Sequence, residues 1–177
     1  AVHTRGYAKR SLVLEDCSSW PVFSCTDTWG GPEYQGIFAF SVTITEEMKG
    51  RIIGFSLDTG ADDIWNTDNP QIMVYVNGVL TCAMDLNHHE VILSDCAEPG
   101  KIYDIRLYAY VNSPGKSNFL YLKVFAKEQE AEALYYDMKL PLEAAKQMRP
   151  EEEKRRKLLE LLNQAGDLLD LRVKKSD

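Results

Sequence analysis

In a series of short segments between Gly36 and Ala126 apolar side chains recur at every second position, and that period fits little besides paired β-strands. In GIFAFSVTIT, Phe38, Phe40, Val42 and Ile44 fall on one face, and Ala39, Ser41, Thr43 and Thr45 on the other. RIIGFSLDT groups Ile53, Phe55 and Leu57, and QIMVYV groups Ile72, Val74 and Val76. Asn77-Gly78 comes next. Both residues tolerate the positive φ of a type I′ turn, so VLTCAM is expected to return as the second strand of a hairpin. HEVILS, IYDIRLYAYV and NFLYLKVFA complete the series, broken by Pro99-Gly100 and Pro114-Gly115. Seven or eight short strands between turn signals predict an antiparallel β-sandwich of the jelly-roll type.

The last two strands carry a second apolar face. Ile105, Leu107, Ala109, Leu120, Leu122 and Val124 are expected to face the core. Tyr108, Tyr110, Phe119, Tyr121 and Phe125 then face outward, and a solvated face should not be so aromatic. A cover is expected, a helix or another domain; an ordinary scatter of surface aromatics and stacking on a sugar are the less favoured readings.

From Glu128 the chain becomes rich in Ala, Glu, Leu and Lys. Pro150 suits the first turn of a helix, and Glu151, Glu152 and Glu153 suit its positive end. Leu158, Leu162, Ala165 and Leu169 form a helical stripe that Leu161 and Leu168 widen, so a helix is expected from Pro150 to about Leu171. Pro141 is expected to start an earlier short helix, PLEAAKQM; ALYYDMKL before it is open between strand and helix.

Charge and composition exclude several classes. The quartet Lys154-Arg155-Arg156-Lys157 lies in an acidic, Leu-rich segment and reads as a solvated helix face, so no nucleic-acid partner is expected. There is no run of 18 apolar residues, so no membrane partner is expected either. AVHTRGYAKR has no apolar stretch of the signal-peptide kind, and His3 within it is expected to lie in a frayed terminus. Cys17, Cys25, Cys82 and Cys96 show no CxxC spacing; they read as reduced, mostly buried thiols and favour a cytoplasmic location.

Few residues point to chemistry. Adjacent residues of a strand face opposite sides, so His88 and His89 are unsuited to one metal ion; one is expected to be a hydrogen-bonded structural residue and the other a surface one. In the polar run Asp85 to Glu90, Asp85 and Asn87 are expected to bond nearby backbone N–H groups and build a tight connection. A binding role for Asp85, His88 or Glu90 is the less favoured reading. Asp58, Asp62, Asp63 and Asp68 gather near Trp65, but their spacing matches no EF-hand and favours a solvated loop. Trp20, Trp29 and Trp65, with Asp62 or Asp63, are the candidate carbohydrate-binding residues, although core or interface roles are favoured for the tryptophans. GxSxG, Walker A and GxGxxG motifs are absent, and no carboxylate pair can be singled out for glycosidic cleavage.

NPQIMVYVNGVLTCAMDLNHHEVIL resembles the segment that precedes the catalytic domain in glycoside hydrolase family 38 α-mannosidases. There a stretch P-x-x-x-V-Y-V-(D/N)-G leads to D-x-N-H-x-E-V-x-L. The matching residues are Pro70, Val74, Tyr75, Val76, Asn77, Gly78, Asp85, Asn87, His88, Glu90, Val91 and Leu93. Cys82-Ala83-Met84 departs from the Gln-Gly-Leu common in the family, and His89 stands where arginine is frequent. The likeness spans about Ser18 to Arg172. It implies a parent enzyme that hydrolyses terminal α-mannosides with retention. That enzyme would use a zinc-type divalent cation, held by His and Asp around a His-x-His-x-Asp motif, and an aspartate nucleophile. This chain has no His-x-His, so the resemblance transfers no catalytic or metal-binding residue to it and implies no cofactor within it.

The expected architecture is therefore mainly β. Residues 1–126 would form a jelly-roll, galactose-binding-like antiparallel sandwich, and residues 127–177 a helical segment leading towards a catalytic domain. The expected role is an accessory domain, itself inactive, that docks on the catalytic domain of the same polypeptide and self-associates through apolar surface when alone. The alternative is a carbohydrate-binding module for a mannose-containing glycan.

Overall fold

The computed structural model describes residues 9–60, 70–113 and 118–169, and the backbone of residues 2–5. By its contacts the chain divides into two units, Ala1–Lys127 and Glu128–Asp177. The first holds eight strands among the described residues: β1 (Val2–Arg5), β2 (Tyr34–Thr43), β3 (Ile52–Asp58), β4 (Gln71–Val76), β5 (Val79–Met84), β6 (Glu90–Ser94), β7 (Ile102–Val111) and β8 (Tyr121–Lys127). They form two antiparallel sheets, in the orders β1-β2-β7-β4-β5 and β6-β3-β8. Only β1–β2 and β4–β5 are sequential neighbours within a sheet; the other connections pass from one sheet to the other. This is the expected sandwich. The N-terminus, expected to fray, instead adds β1 as an edge strand beside β2.

The core follows the alternation. Phe38, Val42 and Ile44 pack with Ile53, Phe55 and Leu57 and with Ile105, Leu107 and Ala109. Phe40 is half-buried, edge-on to Phe55 at 5.4 Å. Leu120 and Val124 are half-buried as expected, but Leu122 is 40% exposed, because β8 is an edge strand and Leu122 lines clefts there. The four cysteines are free, and none is buried: Cys17 and Cys82 are half-buried, Cys25 and Cys96 exposed. Cys82 lies on β5, an edge strand of its sheet, which limits how deeply it can sit.

A second, smaller core lies on the outer face of the five-stranded sheet. Ile37, Tyr75 and Tyr108 point outward from β2, β4 and β7, and the segment before β2 returns to cover them with Leu12, Val13 and Trp20. A short 3₁₀ turn, Arg10–Leu14, presents Val13, which is fully buried and contributes about 1.5–3 kcal/mol. Cationic side chains hold the segment down. Arg10 bonds the Tyr75 hydroxyl and lies over its ring, with the guanidinium carbon 5.6 Å from the centroid. Arg106 donates to the Glu15 carbonyl at 3.2 Å, pairs with Asp104 at 3.0 Å and lies over the Trp20 ring at 5.8 Å. The aromatic residues expected to share one outward face are divided, because β7 and β8 belong to different sheets; the chain itself covers Tyr108 on the β7 side. Tyr110 and Tyr121 stay exposed, and Phe119 stacks on Tyr121 at 5.2 Å.

In the second unit, ALYYDMKL is helical. α1 (Gln129–Gln147) runs through Pro141 instead of starting at it, although Pro141 lacks the N–H that would reach the carbonyl of Asp137. Strong helix formers on both sides offset the cost. α2 (Glu153–Asp167) begins three residues after Pro150. Pro150 instead holds the second position of a reverse turn, Arg149–Glu152, closed by Glu152 N–H to the Arg149 carbonyl at 3.1 Å; its fixed φ suits that position as well. Glu152 becomes the N-cap residue, and its carboxylate accepts from the Arg149 N–H at 3.2 Å. Leu171, the expected end, lies outside the described residues.

Two glycines test the packing in different ways. A Cβ on Gly54 would come within 2.4 Å of the Val91 carbonyl oxygen and 2.5 Å of the Phe125 ring, so Gly54→Ala is expected to lower stability by about 1–3 kcal/mol. At Gly78, φ is +79° and a Cβ would meet only Leu14, at 3.9 Å. Gly78→Val is therefore expected to cost about 1–2 kcal/mol of backbone strain with little steric clash. Urea unfolding midpoints check both; an unchanged midpoint for Gly78→Val would contradict the hairpin assignment.

Candidate functional site

The family-like motif runs along β4, the β4–β5 turn, β5 and the connection into β6, and each of its polar residues has a local structural task. Asn77 and Gly78, with φ of +50° and +79°, make the tight turn. Asn77 also reaches β7: its N–H donates to the Asp104 carbonyl at 2.8 Å, and its Oδ1 accepts from the Asp104 N–H at 2.9 Å. Pro70 is buried just before β4, and Tyr75 is in the outer core.

In the β5–β6 connection Asp85 is the organiser. Its Oδ1 accepts from the N–H groups of Asn87 at 2.8 Å and His88 at 2.7 Å, and the His88 Nδ1 lies 3.1 Å away. Those backbone bonds, that of His88 foremost, hold the Asp85 carboxyl below the usual carboxylate range. Asn87 takes part through its backbone N–H. Glu90 pairs with Lys127 on the surface at 3.2 Å. Both histidines are exposed, whereas one was expected to be a surface residue and the other structural; His89 Nδ1 lies 3.3 Å from the Leu86 carbonyl.

The two histidines line different clefts. His89 borders a cavity of about 500 Å³ at the end of the sandwich, floored by Leu57, Ile72, Met84 and Leu122 and rimmed by Asp58 and Lys123. His88 borders a groove of about 440 Å³ on the outer face of the five-stranded sheet, with Gln71, Met73, Tyr108 and Tyr110. Among the described residues, no three or more His, Cys, Asp or Glu side chains gather as ligands to a metal would, so the zinc-type ion implied by the resemblance finds no fitting donor set there, and none of its chemistry is assigned to this chain.

The tryptophans and aspartates singled out as sugar candidates are not brought together. Trp29 is 2% exposed; its Nε1 donates to the Phe119 carbonyl at 3.2 Å and its ring meets Phe38 at 5.4 Å, so it belongs to the core. Trp20 is half-buried under Arg106 and borders a third cleft, of about 310 Å³, with Phe23, Phe38, Phe40 and Leu120. Trp65, Asp62, Asp63 and Asp68 lie outside the described residues. The Oδ1 of Asp58 accepts from the Gly60 N–H at 2.8 Å, a turn role. Sequence reasoning named Tyr108, Tyr110 and His88 separately but not the groove they form with Gln71 and Met73. The alternation of β7 does put Tyr108 and Tyr110 on that side, but Gln71 reaches it through pairing between strands distant in sequence.

The helical unit presents a different kind of surface. Ala145 is the one buried residue of α1, and none of α2 is buried. Leu158, Leu162, Ala165 and Leu169 are half-buried, as the stripe predicts, whereas Leu161 is 53% and Leu168 87% exposed. Leu134, Tyr135, Tyr136, Leu140 and Leu142 are also exposed. Arg155 donates to the Ala145 carbonyl at 3.2 Å and ties the two helices together. No helix is long and apolar enough to cross a membrane among the described residues. No protein-family model matches the sequence, and neither does any curated protein.

Asp85 supplies a pH test. Its folded-state carboxyl titrates lower than in the unfolded chain, so its contribution is present above the ordinary pKa of about 3.9 and is lost as pH falls through the folded value. Asp85→Ala is expected to cost about 1 kcal/mol at neutral pH. Its unfolding midpoint should also fall less between neutral pH and about pH 3 than that of the parent chain; parallel pH profiles would remove Asp85 from its organising role.

Proposed function

We propose that this chain is a non-catalytic accessory domain of a family 38 α-mannosidase, whose downstream catalytic domain carries out the hydrolysis of terminal α-mannosides with retention. The sandwich is the framework, and the helical unit offers the surface that packs against that catalytic domain. The observation that carries this reading is the apolar surface of α1 and α2. Two helices that fully bury only Ala145, while exposing Leu140, Leu142, Leu161 and Leu168, lack a core sufficient for independent stability.

The motif's structural tasks support the same reading. Tyr75, Asn77, Gly78, Asp85 and Glu90 serve packing, turns and a surface ion pair, as befits residues of a scaffold. The likeness to the α-mannosidase segment rests on those residues and their order.

Two measurements test it. The 177-residue chain alone is expected to bind an apolar dye and self-associate in light scattering, and Leu140→Glu with Leu161→Glu is expected to suppress both. Hydrolysis of p-nitrophenyl α-mannoside is expected from the longer encoded polypeptide and not from this chain. A dye-free monomer, or a continuation lacking His-x-His-x-Asp, would overturn the reading.

A further inference from the structure

The outer face of the five-stranded sheet has two parts. One is closed by Leu12, Val13 and Trp20; the other, towards the start of β4 and the end of β5, is an open groove. Strand register determines what stands there. Gln35, Tyr110 and Gln71 are direct partners across β2, β7 and β4, and Tyr108 and Met73 are partners in the next row. Residues directly opposite in antiparallel strands share a face, and Tyr108 belongs to the outer core, so both tyrosines and both amides stand on the outer side. The Tyr108 hydroxyl donates to Gln35 Oε1 at 3.0 Å, which fixes that ring. Tyr110 remains 37% exposed, and Met73 beside it is exposed too.

The groove measures about 440 Å³, within the range of small-molecule sites. At its rim Asp85 is pinned by two backbone N–H groups and holds the His88 ring through Nδ1 at 3.1 Å. Among the described residues no Lys or Arg lines it, and the carboxylate and imidazole at its rim, Asp85 and His88, face each other as a pair. Such a wall suits neither a phosphate nor a cation. Carboxamides and phenol hydroxyls both donate and accept, matching neighbouring hydroxyl groups, while the Tyr110 ring and the Met73 side chain suit a C–H face. We propose that this groove is a binding subsite for a neutral hexopyranoside, with Gln71, Tyr110 and His88 as its contacting side chains. Nothing in the arrangement depends on the parent enzyme's chemistry.

The test is an amide NMR titration of the 177-residue chain with methyl α-mannopyranoside, methyl α-glucopyranoside and methyl β-galactopyranoside, each to about 50 mM, well above the ~1 mM constant that corresponds to −4.1 kcal/mol. Saturable shifts with at least one glycoside are expected, centred on residues 71–73, 85–88 and 108–111. Tyr110→Ala and Gln71→Ala should each weaken binding about tenfold, with the rest of the spectrum unchanged. If Tyr110→Ala fails to fold, the exposed Gln71 carries the test. Absence of saturation with all three sugars, shifts centred elsewhere, or unchanged affinity in Gln71→Ala would overturn the assignment.

Discussion

The double role of β7 is the constraint on which the sandwich unit depends: one face is buried in the main core and the other is partly covered by the segment ahead of β2. Towards the inside, Tyr103, Ile105, Leu107, Ala109 and Val111 are all buried and meet the three-stranded sheet. Towards the outside, Arg106 and Tyr108 anchor the segment that carries Val13 and Trp20. A central strand closed on one side only would leave Ile37, Tyr75 and Tyr108 wet, and the surface would resemble an unfinished interface. The pairing of Arg106 with Asp104 and its donation to Glu15 tie the backbone of that segment to the same strand that organises the main core.

The strands were legible because their information is local. Alternation in GIFAFSVTIT and IYDIRLYAYV marks both the strand and its inner face, and Asn77-Gly78 marks the turn by its backbone tolerance. The segment ahead of β2 was not legible, because nothing in ARG-SER-LEU-VAL-LEU, residues 10–14, repeats with a period; its place is decided by contact with residues far along the chain. Helix boundaries misled for a related reason. Proline suits more than one setting, so Pro141 stands within a helix and Pro150 in a turn. The cysteines misled because their small apolar side chains suggest burial, while their places on an edge strand and in connections leave them half-buried or exposed.

The candidate sites divide along the same line. Asp85 was legible as a turn builder, since a short carboxylate among polar neighbours has backbone N–H groups within reach. The row Gln35, Tyr110, Gln71 was not, because it exists only once three strands remote in sequence are paired in one register. The tryptophans drew attention by type, yet Trp29 is spent on the main core and Trp20 on the outer core beneath Arg106. Side-chain identity alone separates a binding aromatic from a packing one poorly; the face it occupies decides.

The outer core also makes the segment ahead of β2 part of the folding unit. A version trimmed to start at Tyr34 would keep seven of the eight strands and all their pairings with one another. It would still lose the lid over Ile37, Tyr75 and Tyr108, along with both cationic clasps to it. The residues ahead of β2 are therefore part of the fold although they hold little regular structure: they supply both the edge strand β1 and the cover over that face.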